Sequence, residues 1–163
     1  MNTWISPKRA AYFILCILVG SIIFHVFVLA GFIPAGIVWG GRAEDLHRLQ
    51  QLESVSIALN ALMALAVLGY TGTLGFRFRA RVLRPCFWAM FVLFALNTVG
   101  NLLAKSSTET TIFTPITALL ALLCLRVLLG GFAEETKIQN SKVKNPSRAH
   151  LSAGPANGGV GRF

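Results

Sequence analysis

Four apolar stretches, at about 11–33, 52–74, 82–103 and 112–132, leave this chain few ways to fold. Each has enough residues, at 1.5 Å of rise apiece, to cross ~30 Å of hydrocarbon as a helix. Backbone in hydrocarbon must satisfy its own polar groups, and a helix does so within a single segment. The connections between consecutive stretches are short, which favours neighbours running in opposite directions. The expected fold is therefore an all-α membrane protein, an antiparallel up-down four-helix transmembrane bundle spanning 1–132.

Basic residues orient that bundle. With the N-terminus placed in the cytoplasm, the inner segments carry Lys8, Arg9, Arg77, Arg79, Arg81, Arg84, Lys137, Lys142, Lys144, Arg148 and Arg162. The outer segments carry only Arg42, Arg48 and Lys105, while Arg126 falls inside the last stretch, close enough to its inner end to snorkel there. Eleven against three is a strong positive-inside bias. It predicts both termini in the cytoplasm, and a bacterial cytoplasmic (inner) membrane as the location. The formal charge of +9 needs no nucleic-acid partner, because these residues flank spans. Arg77 and Arg79 alternate with Phe76 and Phe78, and together with Arg81 and Arg84 they are expected to meet anionic lipid headgroups, at ~1 kcal/mol per residue.

The remaining punctuation fits the same plan. Cys16, Cys86 and Cys124 all fall in the inner half of the bilayer, form no CxxC pair and read as reduced apolar fillers. The first stretch is longer than the apolar core of a secretory signal, so it is expected to remain as a span. Pro34 is expected to end span one, and Gly72 and Gly75 to end span two. Leu46, Leu49 and Leu52 suggest an interfacial helical turn leading into span two. Residues 133–163 are rich in Asn, Ser, Gly and Lys, and are expected to form a disordered basic cytoplasmic tail.

Polar residues inside the spans are the candidates for chemistry. Glu53, Ser56 and Asn60 share one helical face; Asn97, Asn101 and Lys105 form a second stripe; His25 lies in span one, and Glu109 precedes Thr114 and Thr117. Counted from the span ends, His25, Asn60 and Asn97 lie at one level, ~9–12 Å below the outer interface. Three readings follow. In the first, His25, Arg42, Glu53, Asn60, Asn97, Asn101, Lys105 and Glu109 line an outward-facing polar pocket for a small ligand or lipid headgroup. His25 is then the floor, Glu53 supplies charge near the mouth, and Lys105 and Arg42 are its partners. In the second, the same groups are interhelical hydrogen-bond ties, worth only ~0.6 kcal/mol each, in a structural or assembly subunit. A third reading pairs His25 with Glu53 as acid and base of a membrane-embedded enzyme.

No HExxH, GxSxG or Walker loop is present, and no metal or cofactor is expected. Expected partners are the lipid bilayer and either a second copy or a membrane complex.

The pattern Trp39-Gly40-Gly41-Arg42, Glu53-Ser54-Val55-Ser56-Ile57 with Asn60, Asn97-Thr98-Val99-Gly100-Asn101 with Ala104-Lys105, and Glu109 before Phe113-Thr114-Pro115 resembles a family of small, uncharacterised four-span bacterial inner-membrane proteins. The likeness covers about 39–126 and implies the bundle layout and orientation, not a reaction. The layout also looks like that of the four-span sterol-isomerase-like proteins, which place more carboxylates in a membrane pocket than this chain has.

Overall fold

A computed structural model describes residues 5–34, 45–75, 77–104, 107 and 109–144; the side chains of 109 and 133–144 lie outside that description. The described residues are helical, with no strand among them: α1 (Pro7–Leu29), α2 (Leu46–Thr71), α3 (Ala80–Leu102) and α4 (Thr114–Lys144), the last preceded by a π-helical turn at Glu109–Phe113. All four are long and apolar enough to cross a membrane.

Caps, rather than the limits of the apolar runs, decide where α1 and α2 begin and end. Ser6 accepts the amide of Arg9 at 3.3 Å, and Pro7 occupies the first turn, where its missing N–H costs nothing. Gly31, at φ +79°, ends α1 ahead of Pro34, and the Phe32 amide reaches back to the Phe27 carbonyl at 3.0 Å. Asp45 caps α2, its Oδ1 accepting the Arg48 amide at 2.6 Å. The polar run expected as an interfacial lead is thus the opening of α2 itself. At the far end Gly72 takes the left-handed conformation, with its amide on the Leu68 carbonyl.

The chain divides into two compact units, Met1–Phe132 and Ala133–Phe163. The core of the first joins Ala10, Ala11, Ile14 and Leu18 of α1 with Ala64 and Val67 of α2. From α3 it takes Leu83, Phe87, Met90 and Phe94, and from α4 Leu120, Cys124, Val127 and Phe132 among others. The α1 contributors recur at helical spacing, as an inward stripe should. Tyr70, Phe87 and Phe132 form a ring cluster with centroids 5.3–6.0 Å apart. Gly131 admits the Tyr70 hydroxyl where any side chain would collide with it, and Gly69 does the same for the Phe78 ring.

The outward faces are as apolar as the core. Phe13, Val19, Ile23 and Phe27 of α1, Leu62 and Leu65 of α2, Val92 and Leu96 of α3, and Leu119, Leu122 and Leu129 of α4 are all exposed. Water would penalise so continuous an apolar surface; lipid does not. The three cysteines are free thiols, with Cys124 buried in the core. Arg126 does more than reach for an interface: its Nε donates to the Ile5 carbonyl at 2.9 Å, tying the lead of α1 to α4.

In the second unit α4 continues to Lys144, where the sequence leads one to expect a disordered tail from 133 onward. Residues 133–144 include Lys137 and Lys142, whose helix propensity is high, and no proline before Pro146 interrupts the run. Residues 145–163 lie outside the described residues.

Candidate binding site

The shift in helix boundaries rearranges the polar residues. α2 starts at Leu46 rather than 52, which places Glu53 about two turns inside the helix. α1 stops at Leu29, which leaves His25 about one turn from its end. The two residues therefore share a level instead of standing at the floor and mouth of a pocket. His25 Nδ1 and Glu53 Oε2 lie 2.6 Å apart. Glu53 is 0% exposed, the one buried acidic side chain among the described residues, whereas the His25 side chain keeps 17% of its surface open.

Local packing explains why the pair forms there. Val28 of α1 and Leu49 of α2 pack together with Phe24 and Ile33, closing the helix pair one turn beyond the site. His25 continues the inward stripe of Ile14 and Leu18 at helical spacing. Phe24 stands edge-on to the His25 ring at 5.7 Å and to Phe113 at 5.4 Å, so an apolar wall flanks the imidazole. An ionised carboxylate in such surroundings is tolerated only with a charged or hydrogen-bonding partner. His25 is one such partner, and Glu53 makes a further interaction besides.

Among the described residues, Asn60, Asn97 and Asn101 do not converge on this pair. Asn60 lies about two turns deeper than Glu53, and its Nδ2 donates to the Ser56 carbonyl of its own helix at 2.8 Å. Asn97 is exposed on α3 and makes no side-chain hydrogen bond among the described residues. Its position on the flank of the inward stripe Leu83, Phe87, Met90 and Phe94 accounts for this. Asn101 turns toward α4 instead, its Nδ2 reaching Thr117 Oγ1 at 3.4 Å. Arg42 and Lys105 lie outside the described residues, as does the side chain of Glu109, whose backbone belongs to the π-helical turn.

A second polar centre joins α3 to α4, and it is built on threonines. Thr98 Oγ1 donates to Thr117 Oγ1 at 3.0 Å and lies 2.8 Å from the Phe94 carbonyl. Thr117 in turn donates to the Phe113 carbonyl at 2.9 Å. Thr110 Oγ1 donates to the Asn101 carbonyl at 3.1 Å, fastening the π-helical turn to the end of α3. The sequence marks Thr117 as a polar residue of its span but assigns neither it nor Thr98 to the site. Threonine in an apolar helix commonly bonds its own backbone, so its presence alone does not mark a contact between helices.

The chemistry therefore separates into a buried acid–imidazole pair between α1 and α2 and a neutral hydroxyl–amide tie between α3 and α4. A shallow depression at the start of α2, lined by His47, Gln50, Gln51, Ser54 and Val55, includes none of the expected pocket residues. No group of His, Cys, Asp or Glu among the described residues has the arrangement to hold a metal ion. No family model, curated protein or solved structure matches this chain.

Proposed function

We propose that this chain is a multi-pass protein of the bacterial cytoplasmic membrane, with both termini in the cytoplasm, that binds a small polar ligand or lipid headgroup at His25 and Glu53. The orientation rests on the eleven-to-three distribution of basic residues and agrees with the likeness over 39–126. It puts the pair in the outer half of the bilayer, near the outward ends of α1 and α2. It also puts Arg77, Arg79, Arg81 and Arg84 at the inner headgroups, where anionic lipid is their natural partner.

The observation that carries the reading is the 2.6 Å contact between a fully buried carboxylate and a partly open imidazole. Helices in a membrane can be tied together by neutral groups at little cost, as Thr98 and Thr117 do. An ionisable pair at the same job is costly, and such residues within spans commonly mark binding or proton-handling sites.

A second reading, that the chain assembles with a second copy or with a membrane complex, is favoured by one observation. Asn97 presents an amide on an outward face, beside Gly100, around which a side chain would meet nothing within 4 Å. An amide facing lipid gains by finding a partner.

A thermal-shift screen of lipids and metabolites on the purified protein separates the two. If His25 and Glu53 form the site, a compound that stabilises the wild type fails to stabilise Glu53→Gln and still stabilises Asn97→Leu. If the chain is only an assembly subunit, no compound gives a shift that depends on Glu53.

A further inference from the structure

The His25 ring commits one nitrogen and leaves the other open. Its contact with Glu53 through Nδ1 is the only hydrogen bond it makes among the described residues. No buried side-chain nitrogen or oxygen among them lacks a partner, so Nε2 reaches a surface that a second molecule can touch. The 17% exposure of the side chain agrees with this.

The position of the proton follows from the carboxylate. Two acceptors do not face one another at 2.6 Å, so with Glu53 ionised the Nδ1 proton lies between ring and carboxylate. A neutral imidazole held in that tautomer presents a lone pair at Nε2, and the carboxylate behind it makes that nitrogen a better acceptor. The further interaction of Glu53 leaves this orientation intact, because the carboxylate has acceptor positions to spare.

Resting on the reading of His25 and Glu53 as a site, we propose that Nε2 accepts a hydrogen bond from the hydroxyl group of a membrane-soluble amphiphile. Glu53 is then the positioning residue that fixes the ring. Counting donors selects a hydroxyl. An ammonium group brings three N–H donors, and beside the rings of Phe24 and Phe113 the others would be left unsatisfied. A hydroxyl brings one, and Nε2 takes it. The rest of the ligand is apolar, since Phe24 stands edge-on both to the imidazole and to Phe113 and the site lies within a span. An alcohol of a neutral lipid and the phenol of a quinol share this chemistry.

The test uses the full chain in nanodiscs with 15N-labelled histidine, the His25 resonances being assigned by their loss in His25→Asn. The unliganded spectrum is expected to show Nδ1 protonated and Nε2 bare. Titration with dioctanoylglycerol or with a short-chain quinol is expected to shift Nε2 saturably, and Glu53→Gln to weaken that response at least tenfold. A response to the glycerolipid alone assigns the lipid alcohol, and one to the quinol alone assigns the phenol. Dioctanoylglycerol acetylated at its hydroxyl is expected to leave Nε2 unmoved. A bare Nδ1 with protonated Nε2, an equal response to the acetylated lipid, or no response to either hydroxyl probe overturns the proposal. The site reading survives those results if some other compound still gives a thermal shift that depends on Glu53, and falls with them if none does.

Discussion

Replacing His25 by Leu is expected to lower the unfolding free energy by about 1–3 kcal/mol, the cost of leaving a buried acceptor without one of its hydrogen-bond partners. The cost arises on the side that remains. Glu53 is 0% exposed, and loss of the imidazole removes the 2.6 Å partner of its Oε2, leaving a buried carboxylate with only its further interaction. Glu53→Leu should be costly too, though less so, because the His25 side chain is partly open and can find water or lipid oxygen. Combining the two should cost less than their sum by about 1–3 kcal/mol, the coupling expected of residues in direct contact. Unfolding of the four variants of the cycle in detergent or bicelles measures this. Strict additivity would mean that the pair contributes nothing as a pair.

Gly131→Ala is expected to destabilise the protein by about 1–3 kcal/mol, a large effect for one methyl group. A Cβ at Gly131 collides with the Tyr70 hydroxyl and comes within 3.0 Å of the carbon that bears it. Tyr70 has little freedom to withdraw, because its ring packs against Phe87 at 5.3 Å and Phe132 at 5.5 Å. Gly20→Ala serves as the control, since a side chain there meets nothing within 4 Å and alanine is the better helix former. Tyr70→Phe should rescue part of the loss in the Gly131→Ala background by removing the colliding oxygen. Equal melting temperatures for the Gly131 and Gly20 variants would show that the close approach carries no stability.

Hydropathy located the four helices because twenty or so apolar residues in a row have few other uses. Their ends were less legible. The charged run before Leu49 reads on hydropathy as an interfacial turn outside span two, yet Asp45 is an ordinary N-cap, and the helix starts there. That displacement matters more than its length suggests, because counting from 52 puts Glu53 at a mouth and counting from Leu46 puts it beside His25. The shared face of Glu53, Ser56 and Asn60 was readable from spacing. What spacing does not reveal is that Asn60 would satisfy itself on the Ser56 carbonyl. For Asn97 and Asn101 the four-residue interval suggested a common direction, but Asn97 sits on the exposed flank of α3 while Asn101 turns to Thr117. Depth along one helix says little about which neighbour a side chain meets, and contacts between helices decide the site.

The placement of the pair in the outer half of the membrane depends on orientation, which cysteine labelling of intact cells tests most directly. The two probes are Ser107→Cys, in the connection before α4, and Leu74→Cys, in the turn between α2 and α3; both positions are exposed. Leu74 is preferable to Gly75, whose φ of +78° disfavours any side chain. The native thiols lie within spans, and the unsubstituted protein supplies their background. With both termini in the cytoplasm, a membrane-impermeant maleimide labels Ser107→Cys and leaves Leu74→Cys untouched until the cells are opened. Labelling of Leu74→Cys alone, or of both equally in intact cells, would contradict the orientation and the placement of His25 and Glu53 near the outer surface.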